Sequence, residues 1–415
     1  MIRKDFEIMA PAGSFESLMA AIQGGADSVY FGAGHLNMRS RSSSNFSTDD
    51  LKLIAKICAK HGLKSYLTLN ITLYDEDLAE MRRMVDVAVE CKISAIIASD
   101  IAAIQYARSK GMEVHISTQS NVSNIESVKF YSHFADVVVL ARELNMDQVK
   151  AIHEAIVEDD VRGPAGELIR IEMFAHGALC MAVSGKCYLS LHQMNASANR
   201  GACLQPCRRG YVVTENESGD ELAIDNQYIM SPKDLKTIHF LNKMIDAGVR
   251  VFKIEGRARG PEYVKTVCSS YNEALQAYLE GRYDQAAIDK WDKALSGVFN
   301  RGFWNGYYLG QRLGEWSANY GSLATKKKLY LGKGTNYFPK IGVAEFLMET
   351  HDLKVGDEII ITGPTTGVVE QTVSELRYEL NSVDEVIKGQ RFSIAVGVKI
   401  RRNDKLYKLI DANTK

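Results

Sequence analysis

The stretch Glu7–Gly32, EIMAPAGSFESLMAAIQGGADSVYFG, holds a short strand pattern at Glu7–Ala10, a helical pattern that stops at Gly24-Gly25, and a second strand pattern at Ser28–Phe31. A glycine pair behind a helical run is C-cap chemistry, because glycine turns the chain at no steric cost. No G-x-G-x-x-G follows the first strand, which argues against a doubly wound dinucleotide-binding sheet. The alternation then repeats, with further strand candidates at Ser65–Leu69, Ala95–Ala98, Val114–Ser117, Val137–Leu140, Ile169–Phe174 and Val251–Ile254. Between them, Leu51, Ile54, Cys58 and His61, or Leu78, Met81, Val85 and Ala88, set an apolar stripe on one helix face. Eight such alternations predict an α/β fold, a (β/α)8 TIM-like barrel over residues 1–285.

The composition is that of a folded enzyme. Across 415 residues, 46% are hydrophobic and 24% charged, which excludes disordered, collagen-like and small disulfide-framework proteins. Fifty basic residues against 51 acidic ones give a net charge of -1, so a nucleic-acid partner would have to use a local basic patch. No stretch approaches the roughly 18 apolar residues of a membrane span, and the start lacks a leader-type apolar run, so a cytoplasmic chain without membrane contact is expected. Seven cysteines, an odd number, point to core thiols, metal ligands or nucleophiles rather than disulfides.

Polar residues stand where the expected strands stop: Asn70, then Ser99 and Asp100, Thr118 and Gln119, Arg142 and Glu143, His176, and finally Lys253, Glu255 and Arg257. In a barrel these ends converge on the catalytic face. Asp100, Gln119, Glu143, His176 and Glu255 are therefore candidates for orienting a substrate or moving protons. Taken singly, each also fits a plain polar cap on a strand.

Between the seventh strand and a helix expected near Ser231 lie more than fifty residues, where an ordinary connection has about two to six. This insertion, 175–230, carries Cys180, Cys187, Cys203 and Cys207 in the spacing C-x6-C-x15-C-x3-C, whereas Cys58, Cys91 and Cys268 sit among apolar positions as core residues. Zinc sites favour tight C-x2-4-C knuckles. Iron-sulfur clusters accept irregular spacings, and a site without metal stays open. From Met173 to Thr214 there is no Asp or Glu, but Lys186, Arg200, Arg208 and Arg209 are present. Such charge offsets thiolates or recruits an anionic substrate, unless it is a solvated basic loop. His176, four residues before Cys180, would allow a Cys-His acyl-transfer pair, although that explains one cysteine of four.

Residues 286–339, which include VFNRGFWNGYYLG, read as an aromatic and basic connector, and 340–415 as a small C-terminal β-barrel. Its strands are expected at Ile341–Phe346, Glu358–Thr362, Gly367–Leu376, Arg391–Ile400 and Lys405–Leu409. Lys326, Lys327, Lys328, Lys333 and Lys340 lie in an acid-free stretch that either tracks phosphates or forms a solvated hinge. Phe299, Phe303, Trp304, Tyr307 and Tyr308 form either a stacking surface for a base or a packed seam.

EMFAHGALCMAVSGKCYLS, followed by NRGACLQPCR, resembles the signature of the collagenase-like peptidase family; MAPAGSFESLMAAIQGGADSVYFG, SPKDL at Ser231–Leu235 and KIEGR at Lys253–Arg257 match it as well. The resemblance covers nearly the whole chain. Some branches of this family look like oxygen-independent hydroxylases: a shorter ubiquinone branch without the C-terminal barrel, a longer rRNA cytidine branch and a tRNA uridine branch, tRNA hydroxylation protein P. In length this chain is most similar to the last, and its C-terminal part is similar to the second-domain barrels of translation factors. What the resemblance implies is hydroxylation of wobble uridine in a tRNA anticodon loop to 5-hydroxyuridine, with prephenate as hydroxyl source and a 4Fe-4S cluster on Cys180, Cys187, Cys203 and Cys207. Lys236 stands where several members have cysteine, which makes Cys207 the least fixed of the four. Prephenate carries two carboxylates, so Arg39, Arg41, Arg142 and Arg257, with Asn70 and Lys253, become candidate substrate ligands. Arg208, Arg209, Lys326, Lys327, Lys328 and Lys333 become candidate RNA contacts. A collagenase-like peptidase and a non-catalytic RNA-binding protein with a structural metal are the competing expectations.

Overall fold

The structure is a computed structural model that describes residues 1–41, 45–211, 214, 230–317 and 321–413; the rest of the predicted insertion and the last two residues lie outside them. Strands β1 (Glu7–Pro11), β2 (Ser28–Phe31), β3 (Lys64–Leu69), β4 (Ala95–Ala98), β5 (Glu113–Ile116), β6 (Val137–Val139) and β7 (Arg170–Ala178) pair in chain order, all parallel. After β8 (Asp234–Lys236), strand β9 (Val249–Ile254) pairs in parallel with both β7 and β1 and closes an eight-stranded barrel. β4 and β6 are buried at every residue, as strands must be when the lumen covers one face and helices the other. The helices α1 (Phe15–Gln23), α2 (Asp50–His61), α3 (Leu78–Glu90), α4 (Ile101–Ser109), α5 (Ile125–Ser132) and α6 (Met146–Glu158) alternate with the strands. Their starts are cut by side chains: Ser14, Asp100, Asn124 and Asn145 accept from the amides of Ser17, Ala102, Ser127 and Gln148. Gly62 ends α2 at φ 71°, where a side chain would be strained.

The insertion after β7 contains the short helix α7 (Leu189–Met194). A helix is expected to begin near Ser231, but the chain instead forms β8, which runs antiparallel to β7 with Ala178 opposite Asp234. The helix α8 (Leu241–Asp246) starts later. Pro232 forms an isolated bridge with Trp316, and a proline suits extended backbone better than a helix interior. After β9 come α9 (Pro261–Leu279) and α10 (Gln285–Gly297), and Ile288, Trp291 and Leu295 of α10 belong to the barrel's core. The first domain thus extends past residue 285. β10 (Phe303–Trp304) adds to β8, and the buried Trp304 and Tyr308 make the aromatic segment a packed seam.

The expected small barrel takes the form of antiparallel sheets. β11 (Lys326–Phe338), β12 (Val343–Met348), β13 (Asp352–Lys354), β14 (Glu358–Gly363), β15 (Gly367–Thr372), β16 (Leu376–Tyr378), β17 (Asn381–Val383), β18 (Glu385–Ile387), β19 (Arg391–Ala395) and β20 (Lys405–Asp411) build them. Eight strands share one sheet in the order β15-β14-β20-β11-β12-β19-β16-β17, and β13 pairs with β18. β11 corrects the domain boundary: residues 326–338, placed in the connector by sequence, are the long central strand of this sheet. Leu331, Phe346, Ile361, Phe392 and Leu406 form its separate core. The two units are docked directly, since Gln23 of α1 donates to the Thr366 carbonyl and accepts from the Val368 amide, while Lys265 of α9 pairs with Glu370. No helix among the described residues is long and apolar enough to cross a membrane.

Candidate active site

Barrel lumens are usually filled with branched aliphatics. Here the lower lumen is charged. Glu7 accepts from Ser28 and Tyr66, both at 2.7 Å, and from Arg170 at 3.1 Å. His115 lies 3.1 Å from Glu113 and 3.5 Å from Glu172, whose other oxygen accepts from Lys253 at 2.6 Å. Burial alone would raise the Glu7 carboxyl, but Arg170, His115, Lys64 and the Tyr66 hydroxyl bring it down to about 2.

Above this layer the C-terminal strand ends surround a cavity of about 430 Å³, roofed by the cysteine-bearing insertion. Its lining contains eight cationic side chains (Arg39, Arg41, Arg142, Arg208, Lys253, Arg257, Arg259 and Arg301) and one carboxylate, Glu255. Glu255 accepts from Arg39 at 3.0 Å and from the Tyr30 hydroxyl at 3.1 Å. Burial pushes its carboxyl up, yet the charges of Arg39, Arg142 and Arg257 hold it below the ordinary value. Burial draws Arg257 down to about 10, still protonated at neutral pH, and it donates to Asn37 and Thr68. Arg142 lies 3.6 Å from the centre of the Phe174 ring, donates to the Ala178 carbonyl, and keeps a buried Nε with no partner among the described residues. Asn70 donates to both Ser117 and Gln119 at 3.2 Å and accepts from the Met38 amide, forming a neutral polar wall beside the cations.

All four clustered cysteines are free thiols lining this cavity, Cys180 exposed and the others half-buried. Burial raises Cys207 to about 11 against the pull of Arg208, and the charges of Cys180, Cys203 and Cys187 act on it too, so the four sit within one another's field. Among the described residues no three His, Cys, Asp or Glu side chains form a metal-holding group as placed. In kind and number, however, four uncrosslinked thiols on one cavity beside the guanidinium of Arg208 fit the thiolate donors that an iron-sulfur cluster takes.

Other candidates lie apart from the cavity. Asp100 is used as the cap of α4 and accepts from the Leu73 amide. Glu143 and Arg209 are exposed and do not line the cavity. His176 is only 1% exposed, packed on Tyr263, Tyr271 and Phe303; burial, with the charges of Lys236 and Arg259, lowers it to about 3. It is not part of the cavity wall that holds Cys180. Lys326, Lys328 and Lys333 pair with Glu358, Glu262 and Glu349 on the C-terminal sheet and its border, and neither they nor Lys327 reach the cavity. Sequence reasoning missed Arg259 and Arg301. The signal for Arg259 was its place two residues after Arg257, whereas Arg301 sits in the aromatic segment and reaches the cavity only through the fold.

A family model described as Peptidase family U32 matches residues 13–318. A protein of Porphyromonas gingivalis named Collagenase is 67% identical over 404 residues, covering 97% of this chain and 98% of that one. A Bacillus subtilis protein named tRNA hydroxylation protein P1 is 31% identical over 95% of this chain and 93% of its own length. A 23S rRNA 5-hydroxycytidine synthase of Escherichia coli is 36% identical over 68% of this chain and 41% of its own length.

Proposed function

This chain belongs to peptidase family U32, and from that membership we propose that it is a tRNA-modifying enzyme that hydroxylates wobble uridine to 5-hydroxyuridine without oxygen, using prephenate and a 4Fe-4S cluster. The observation that carries this reading is the charge of the cavity: eight cations against one carboxylate suit anionic ligands, and four thiols share the same walls. Cys180, Cys187, Cys203 and Cys207 would hold the cluster, which when bound supplies electron transfer or a Lewis-acidic iron. Arg142 and Arg257 would bind carboxylates, Arg142 with its unpartnered Nε. Asn70, Ser117 and Gln119 offer amide and hydroxyl groups to the edge of a splayed-out pyrimidine. Glu255, kept ionised by its arginines, would hold them in place and present a carboxylate acceptor to the substrate.

The P. gingivalis relative's name favours a second reading, a collagenase-like peptidase. Against it stands the placement of His176, which cannot serve as base to Cys180 from behind the aromatic seam. Mass spectrometry of tRNA nucleosides from cells with and without the protein separates the two. Loss of 5-hydroxyuridine on deletion is expected, together with about four irons per chain after anaerobic purification. Unchanged nucleosides, with peptide cleavage that vanishes in Cys180→Ala, would sink the hydroxylase reading.

A further inference from the structure

The cations of the cavity are not equally satisfied. Arg208 donates to the carbonyls of Leu179 and Pro232 and to Ser231. Arg257 bonds Asn37 and Thr68, and Arg39 bonds Glu255. Arg259 and Arg301 differ: they share one carboxylate, Asp234, at 3.8 Å and 3.4 Å, and among the described residues these are their only polar side-chain contacts. Each guanidinium presents several N–H donors in a rigid fork and both residues line the cavity, so donors beyond the Asp234 pairing remain for a ligand there. Both side chains are 13% exposed, and among the described residues none of their nitrogens is a fully buried atom without a partner, so the free donors stay open to solvent and to a ligand. Phe299 holds the pair in place, with its ring 3.6 Å from the Arg259 guanidinium carbon and 5.2 Å from that of Arg301.

Two guanidiniums over one carboxylate leave one net positive charge. We propose that Arg259 and Arg301, steadied by Asp234 and Phe299, bind a phosphodiester of the RNA beside the nucleotide inserted into the cavity. The inference rests on the RNA reading above. It is favoured over a second small carboxylate because Arg39, Arg142 and Arg257 already gather around Glu255 for one small anion. A splayed-out nucleotide brings its own singly charged phosphate to the cavity's edge.

The test is binding of an anticodon stem-loop RNA to the full chain across a salt series, compared with binding of prephenate. Arg259→Gln and Arg301→Gln should each weaken RNA about tenfold at physiological salt and reduce the salt slope by about 0.7 to 0.9, the signature of one lost phosphate contact. Arg301→Lys should keep the slope and lose part of the affinity, because it retains charge without the fork. Thermal melting checks that each variant is folded. Unchanged RNA affinity in folded Gln variants overturns the inference, as does a loss confined to prephenate. If the variants lose RNA affinity while no 5-hydroxyuridine forms, the inference stands and the hydroxylase reading falls. A wild-type chain that binds no RNA overturns both.

Discussion

The two ends of the barrel lumen are both charged, and they treat charge in opposite ways. At the lower end Glu7, Glu113 and Glu172 face Lys64, Arg170, Lys253 and His115, and nearly every group is met by a partner. At the upper end seven arginines line the cavity against one carboxylate in its wall, Glu255, with Asp234 behind two of them. Moving an ion out of water costs several kcal/mol unless a partner replaces the water. The lower network meets that cost internally and so belongs to the fold, whereas the upper one leaves it to a ligand.

The largest effect should follow from breaking the lower network. Glu172 is fully buried between Lys253 and His115, so Glu172→Ala strands a buried ammonium. It should destabilise the chain by about 3–5 kcal/mol in denaturant unfolding. Arg259→Gln in the upper network should change stability by less than about 1 kcal/mol, since it removes a cation with a single long ion pair. Equal losses at the two sites would erase the contrast between them.

Acid should act on the same lower network. Glu7, held near 2 against an ordinary 4.5, contributes stability that is fully present above about pH 4.5 and is lost as pH falls through 2. The shift corresponds to about 3 kcal/mol. Glu7→Gln should therefore be less stable than the wild type at pH 6, and the gap should close by about that amount as the pH approaches 2. Unfolding curves at several pH values read this directly, and a gap independent of pH would show that Glu7 acts by packing alone.

Much of this architecture was legible in the chain. The eight barrel strands announce themselves because continuous β-branched runs such as Val137–Val139 must be buried on both faces. β8 was not legible: Asp-Leu-Lys is three residues long, two of them charged, and it is held as a strand by pairing with β7. β11 was misread because its first three residues are lysines, while its burial comes from Leu331 and the flanking β20 and β12. The polar strand ends did converge at Asn70, Gln119, Arg142 and Glu255, but the sequence could not separate them from Asp100, whose carboxylate is spent on capping. Nor could it show that His176 turns away from Cys180, since spacing along a strand does not say which ring lies behind it.

The smallest effect tests whether charge alone marks a binding face. Lys326 and Lys333 lie in the acid-free stretch that sequence offered as an RNA contact, yet the sheet brings Glu358 and Glu349 to them from distant positions. They are thus balanced like the lower lumen, but in water, where such a pair is screened and adds little. The Lys326→Ala, Lys333→Ala double variant should shift the melting temperature by about one degree or less. It should also leave RNA affinity close to wild type, in contrast to Arg301→Gln. Lysines at this distance from the cavity can matter only if the RNA path continues over the C-terminal sheet. A loss as large as that of Arg301→Gln would extend the binding face there and remove the distinction between matched and unmatched cations.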